Sequence, residues 1–203
     1  RQMCIRDSII IMQATHSGRY SKPDGVQAPL IVYNNPIFEK DKPIDASHIV
    51  TDAYLDHVLE AMVHSAELAE QAGFDGVDLK CCHRYLNSEL LSAYERAGRY
   101  GGSLENRARF LTELIAICKE EGGADFPVIV KFTPDHYMDG EGYRAIDEGI
   151  ELAKLIVAAG ADALHVDAGC HENWPNAMPP AGMQQMTLQS RSAKIIRSVV
   201  DVP

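Results

Sequence analysis

The chain has 203 residues, of which 46% are hydrophobic, 24% charged and 7% aromatic. That apolar share supports a packed core and excludes a disordered tail, a collagen-like fibre or a low-complexity linker. Nineteen Lys and Arg against 29 Asp and Glu leave a net charge of −10, which argues against a general binder of nucleic acid or anionic membrane.

In chain order, residues 1–8 lack the long apolar core of a secretory signal and are expected to be an unassigned edge or appended segment, outside the fold argument. Ile9–Met12 reads as a buried strand. His16–Asp45 is polar and rich in Pro and Gly, too long for a simple connection, and reads as a functional loop. Asp45 or Ser47 caps a helix whose apolar stripe is Leu55, Leu59, Met62, Ala66 and Ala69, ending at Gly73. Phe74–Leu79 is the next strand. Ser103 caps a helix with Phe110, Leu111, Leu114 and Cys118 on one face, stopped at Gly122 and Gly123. Val128–Val130 is a third strand, followed by a helix marked by Ile146, Ile150, Ala153 and Val157 that ends at Gly160. Ala163–Val166 is the fourth strand and Ser190–Val200 the last helix. No window approaches the roughly 18 uninterrupted apolar residues of a membrane span.

Alternating strands and helices predict an α/β fold with a parallel sheet under covering helices. Two phrases, Gln71–Asp78 and Ala158–His165, are near copies: helix end, Gly cap, Asp turn, new strand. Repeated units of this kind suit a TIM barrel or a doubly wound sheet, and no strand is followed by a dinucleotide or P-loop glycine motif. Unusual polar residues gather just after each strand: Gln13 and His16, then Lys80 to Tyr85, then Lys131 and Asp135, then His165 to His171. A TIM (β/α)8 barrel assembles its active site there. Four strands are half of such a barrel, so residues 9–203 are expected to be a fragment of one, covering about strand 3 to helix 6.

Lys80, His83 and Tyr85 bring three hydrogen-bonding groups to one strand end, where His83 can donate or accept and the Tyr85 hydroxyl can deliver a proton. Five cysteines without a CxxC pair indicate neither a disulfide framework nor a zinc knuckle, and a cytoplasmic setting is the simplest. The histidines and acids lack metal-site spacing, so no metal is expected. His165 and Asp167 alternate along their strand, which puts one of them on the interior face, and a buried, hydrogen-bonded pair is the conservative reading.

Three segments carry a resemblance: Gln13-Ala14-Thr15-His16-Ser17-Gly18-Arg19, Gly73 to Leu86, and Tyr100-Gly101-Gly102-Ser103-Leu104-Glu105-Asn106-Arg107-Ala108-Arg109-Phe110. The sequence resembles the old yellow enzyme family of FMN oxidoreductases, in its 2,4-dienoyl-CoA reductase, enoate reductase and trimethylamine dehydrogenase branch, over nearly all of Ile9–Pro203. The resemblance implies an FMN cofactor, NADH or NADPH as reductant, and hydride transfer through flavin to an activated alkene. Gln13 matches the glutamine on the flavin pyrimidine edge, and Lys131 a basic residue beside flavin N1 and O2. Lys80 and His83 fall on the pair that binds the substrate's electron-withdrawing group. Lys80 stands where His is usual, and either favours a more anionic or more polar oxygen or pairs with an acid such as Asp78. Tyr85 matches the tyrosine that protonates the substrate carbon, and His171 a histidine that assists; a loop histidine packed beside Trp174 is the bland alternative.

Tyr100 to Arg107 reads as structural, with Ser103 capping and Glu105 tying the loop through Arg107 or Arg109. His16 and Arg19 either line the pocket or position it. Asp135, His136 and Tyr137 either meet substrate or end their strand. The resemblance also raises an iron–sulfur cluster, which relatives hold on cysteines beyond the barrel; this stretch has no such cysteine group. A small-molecule substrate is expected, with neither nucleic acid nor membrane as partner. The alternatives are an amine dehydrogenase of the trimethylamine type and an incomplete barrel without activity.

Overall fold

The computed structural model describes residues 8–123, 125–138, 143–173 and 188–203. Four strands form one parallel sheet in the order β1 (Ile11–Ala14), β2 (Gly76–Cys81), β3 (Val128–Phe132) and β4 (Ala163–Val166). The helices are α1 (Asp52–Gln71), a short α2 (Leu86–Leu90), α3 (Leu104–Gly122), α4 (Ile146–Ala158) and α5 (Leu188–Arg197). The architecture is the expected α/β parallel sheet. No helix among the described residues is long and apolar enough to cross a membrane.

The period-2 pattern sorts the sheet residues into two faces. Val77, Leu79, Cys81, Val128, Val130 and Phe132 are fully buried and pack with the stripes of α1, α3 and α4 in one core. The other face carries Gln13, Asp78, Lys80, Lys131 and His165. The register sets them side by side: Gln13 pairs with Asp78, Lys80 with Lys131, and Lys131 with His165. Gln13 and His165 are exposed on this face.

Several element ends differ from expectation, each for a local reason. The first strand starts two residues later than predicted. Ile9 and Ile10 are exposed, and the Ile10 backbone bonds Asp75 just before β2. β2 runs on through Lys80 and Cys81, because both still pair with β3. Asp45 caps only a short turn at Ala46–His48; α1 begins at Asp52, where the Thr51 hydroxyl accepts the Tyr54 N–H. Ser103 caps α3 as predicted, accepting from the Asn106 N–H at 3.3 Å. α5 begins at Leu188 and ends at Arg197, where the chain turns through Ser198 and Val199.

Candidate active site at the strand ends

β2 delivers Lys80 on the polar face, and the chain then reverses sharply. His83 and Arg84 both adopt left-handed backbone (φ 57° and 59°), a conformation strained for residues with a Cβ. The reversal turns the His83 ring toward β4, where its Nε2 lies 2.9 Å from Asp167 Oδ2. Lys131 Nζ approaches the same oxygen at 3.5 Å. Asp167 is 6% exposed. Its burial opposes ionisation, yet the His83 ring, the Ala168 amide and the Lys131 ammonium hold its carboxyl down at about 2.

Tyr85 follows, with the Lys80 ammonium 3.7 Å from its ring centroid. The His171 ring lies 6.3 Å from Tyr85 and 5.8 Å from His83. Tyr20, from the loop after β1, packs at 4.7 Å on His171 and 5.3 Å on Tyr85. Burial and the neighbouring His83 lower the His171 pKa below its usual value, which favours a neutral imidazole. The four expected catalytic residues, Lys80, His83, Tyr85 and His171, therefore meet at one end of the sheet.

One layer deeper, the Gln13 amide donates to Asp78 Oδ2 at 2.7 Å. His165 Nδ1 lies 3.5 Å from that oxygen, and the other Asp78 oxygen is buried without a hydrogen-bond partner among the described residues. Asp78 thus serves Gln13 and His165, whereas Lys80 has no carboxylate at ion-pair distance among the described residues. The expected His165–Asp167 pair does not form. The expected alternation fails because residues two apart point to the same side: His165 is exposed and meets Asp78 on β2, whereas Asp167, just past β4, meets Lys131 of β3 and His83 in the turn after β2.

Several candidates take structural roles. His16 accepts the Gly18 N–H at Nδ1 (3.0 Å), which leaves Nε2 to donate to the Tyr54 hydroxyl at 3.0 Å. Arg19 pairs with Glu39 and Glu89. Asp135 accepts from the Tyr137 N–H, and His136 accepts from the Arg144 N–H, so this segment closes the β3 loop. Arg107, 4% exposed, makes the tie expected near Glu105, but to Glu148 on α4 and to the Gly102 and Leu91 carbonyls. Trp174 lies outside the described residues.

The spacing of the sequence concealed the part played by Asp167. Ligand atoms of Cys82, His83 and Asp167 lie within 4.8 Å of one another, a grouping that could hold a metal ion. Burial, followed by the Asp167 charge, pushes the Cys82 thiol up and keeps it protonated, and Lys131 already serves the carboxylate. His83 and Asp167 read better as part of the charge network, with Cys82 a neutral thiol beside them.

Residues 3–203 match the NADH:flavin oxidoreductase / NADH oxidase family. The chain belongs to this family. Among similar family proteins is a cinnamate reductase from Clostridium sporogenes, 37% identical over 176 residues, covering 79% of this chain and 26% of that protein. An NADH oxidase from Thermoanaerobacter brockii is 32% identical over 199 residues, covering 96% of this chain and 30% of its own length. The chain therefore spans less than a third of these relatives. The fold resembles that of histamine dehydrogenase from Rhizobium sp. 4-9, with TM-score 0.79 and 23% identity over 98% of this chain and 29% of that one. A 2-naphthoyl-CoA reductase complex aligns with TM-score 0.66 and 24% identity, over 93% of this chain and 34% of that one.

Proposed function

We propose that the protein containing this chain is an FMN-dependent reductase of activated alkenes driven by NADH or NADPH, and that its four strands are part of a (β/α)8 barrel. The convergence of Lys80, His83, Tyr85 and His171 at one end of the polar face carries this reading. FMN, once reduced, supplies the hydride for the alkene β-carbon. Gln13 and Lys131 would hold it, and both stand on the face that no described helix covers. The amide offers a donor and an acceptor to the pyrimidine edge, and the ammonium offers charge beside N1 and O2. The donor set fits that cofactor.

Lys80 and His83 receive the oxygen of the substrate's electron-withdrawing group and stabilise the negative charge that grows there. Tyr85 delivers a proton to the adjacent carbon, supported by His171. Among the described residues no carboxylate lies at ion-pair distance from Lys80, so an alkene bearing a carboxylate suits this end of the site. The likeness to a cinnamate reductase supports the same choice. Amine oxidation, the runner-up supported by the fold likeness to histamine dehydrogenase, fits less well: the Lys80 cation already covers the Tyr85 face that a substrate ammonium would seek.

Purified full-length protein should be yellow, bleach with NADH or NADPH and recover colour with an α,β-unsaturated carboxylate. Lys80→Met should lower kcat/KM for the carboxylate relative to its methyl ester by about 10- to 100-fold, the worth of a charge-assisted hydrogen bond. A colourless preparation, or bleaching by a tertiary amine and not by a pyridine nucleotide, would overturn the reading.

A further inference from the structure

Three loops meet at one buried guanidinium. Arg84 is 5% exposed and lies against the Phe38 ring, 3.1 Å from its centroid. Its Nη1 donates to Glu172 Oε1 at 3.1 Å and its Nη2 to Glu89 Oε1 at 3.2 Å. Glu172 is the neighbour of His171 in the loop after β4. Glu89 sits on α2 and also pairs with Arg19, which reaches Glu39 at 2.9 Å in the loop after β1. A cation this deeply buried is held by its carboxylates, and they in turn are held by it.

We propose that Arg84 is a positioning residue that acts through Glu172 to set the place of the His171 ring against His83 and Tyr85. The proposal rests on the alkene-reduction reading for its kinetic consequence, but its geometry stands on the contacts alone. The guanidinium fork holds two carboxylates from different loops at once, which a lysine ammonium on one stem does not reproduce. Arg84 itself lies in the left-handed turn with His83, so the residue that holds the His171 loop also belongs to the His83 turn. Tyr20 packs on the His171 ring, and the Asn173 amide donates to the Tyr137 carbonyl at 2.9 Å, so Glu172 tethers the loop at the residue next to the ring.

The test uses the full-length, flavin-loaded protein and compares Glu172→Gln, Arg84→Met, Arg84→Lys, His171→Gln and the doubles with His171→Gln. The ratio of alkene-driven flavin reoxidation to pyridine-nucleotide-driven bleaching should fall about tenfold or more in Glu172→Gln and Arg84→Met, a part of what a general acid contributes. Arg84→Lys should not restore it. In the His171→Gln background neither substitution should lower the ratio further. If the effects multiply, Arg84 does not act through His171 and the proposal is overturned. If Arg84→Met fails to fold, Glu172→Gln at the more open end of the pair carries the same comparison.

Hydrogen exchange of the 168–173 segment reads the tether without turnover and should rise in Glu172→Gln. Should wild type reoxidise with no alkene, the functional reading fails while raised exchange still supports the tether. Unchanged exchange overturns the tether whatever the kinetics.

Discussion

Replacing Asp167 with Asn keeps the side chain's shape and its acceptor for the Ala168 amide, but removes the charge that His83 and Lys131 share. The folded carboxyl is held at about 2 against an ordinary 3.8. At about 1.4 kcal/mol per pH unit, that difference gives about 2.5 kcal/mol of stability. A carboxyl whose folded pKa is depressed contributes this in full above its unfolded value, and the contribution disappears as pH falls through about 2. In wild type, most of it should be gone by about pH 2.5, while Asp167→Asn has nothing to titrate. The assay is urea unfolding of both full-length proteins, followed by circular dichroism at about pH 6 and about pH 2.5. The gap between them should shrink by between 1 and about 2 kcal/mol on acidification. The absolute gap near neutrality also contains the unpaired His83 and Lys131, so the change with pH is the diagnostic quantity. An equal gap at both pH values would refute the assignment of Asp167 as their shared counter-ion.

Two further substitutions probe the frame that supports the site. A Cβ on Gly101 would stand 2.2 Å from the Arg96 carbonyl oxygen, backbone that cannot swing aside, so Gly101→Ala should destabilise by more than about 2 kcal/mol in thermal unfolding. Arg107→Ala removes the guanidinium from Glu148, which keeps the Tyr94 hydroxyl and Arg144, and takes a donor from the Gly102 carbonyl and the buried Leu91 carbonyl; it should destabilise by about 1–3 kcal/mol, with Arg107→Lys recovering less than half in the same assay.

Local chemistry made much of the fold readable. Ser103 before an apolar stripe and the glycines closing the helices act within a turn of themselves, and those elements appear where their residues place them. Strand ends were less legible, because pairing partners set them: β2 gains Lys80 and Cys81 only through Lys131 and Phe132 on the neighbouring strand. Within the site, Lys80, His83 and Tyr85 lie in one hexapeptide and could be read together. Asp167 and Glu172 could not be tied to them. Arg84 and Glu172 are 88 residues apart, and no periodicity links positions across two intervening strand–helix units. The preference of Asp78 for Gln13 and His165 over its near neighbour Lys80 was equally hidden, since it depends on which side chains the sheet register aligns.

The two-faced sheet makes the site sensitive to the parity of the chain. Lys131 stands between the fully buried Val130 and Phe132. Losing one residue early in β3 would turn those apolar side chains toward the polar face and drive the lysine into the helices. Substitutions there alter one group at a time, whereas a single-residue deletion exchanges the core and the chemistry together. Within these strands, descendants of this sequence can therefore vary by replacement far more freely than by insertion or loss, and length changes should be confined to the loops.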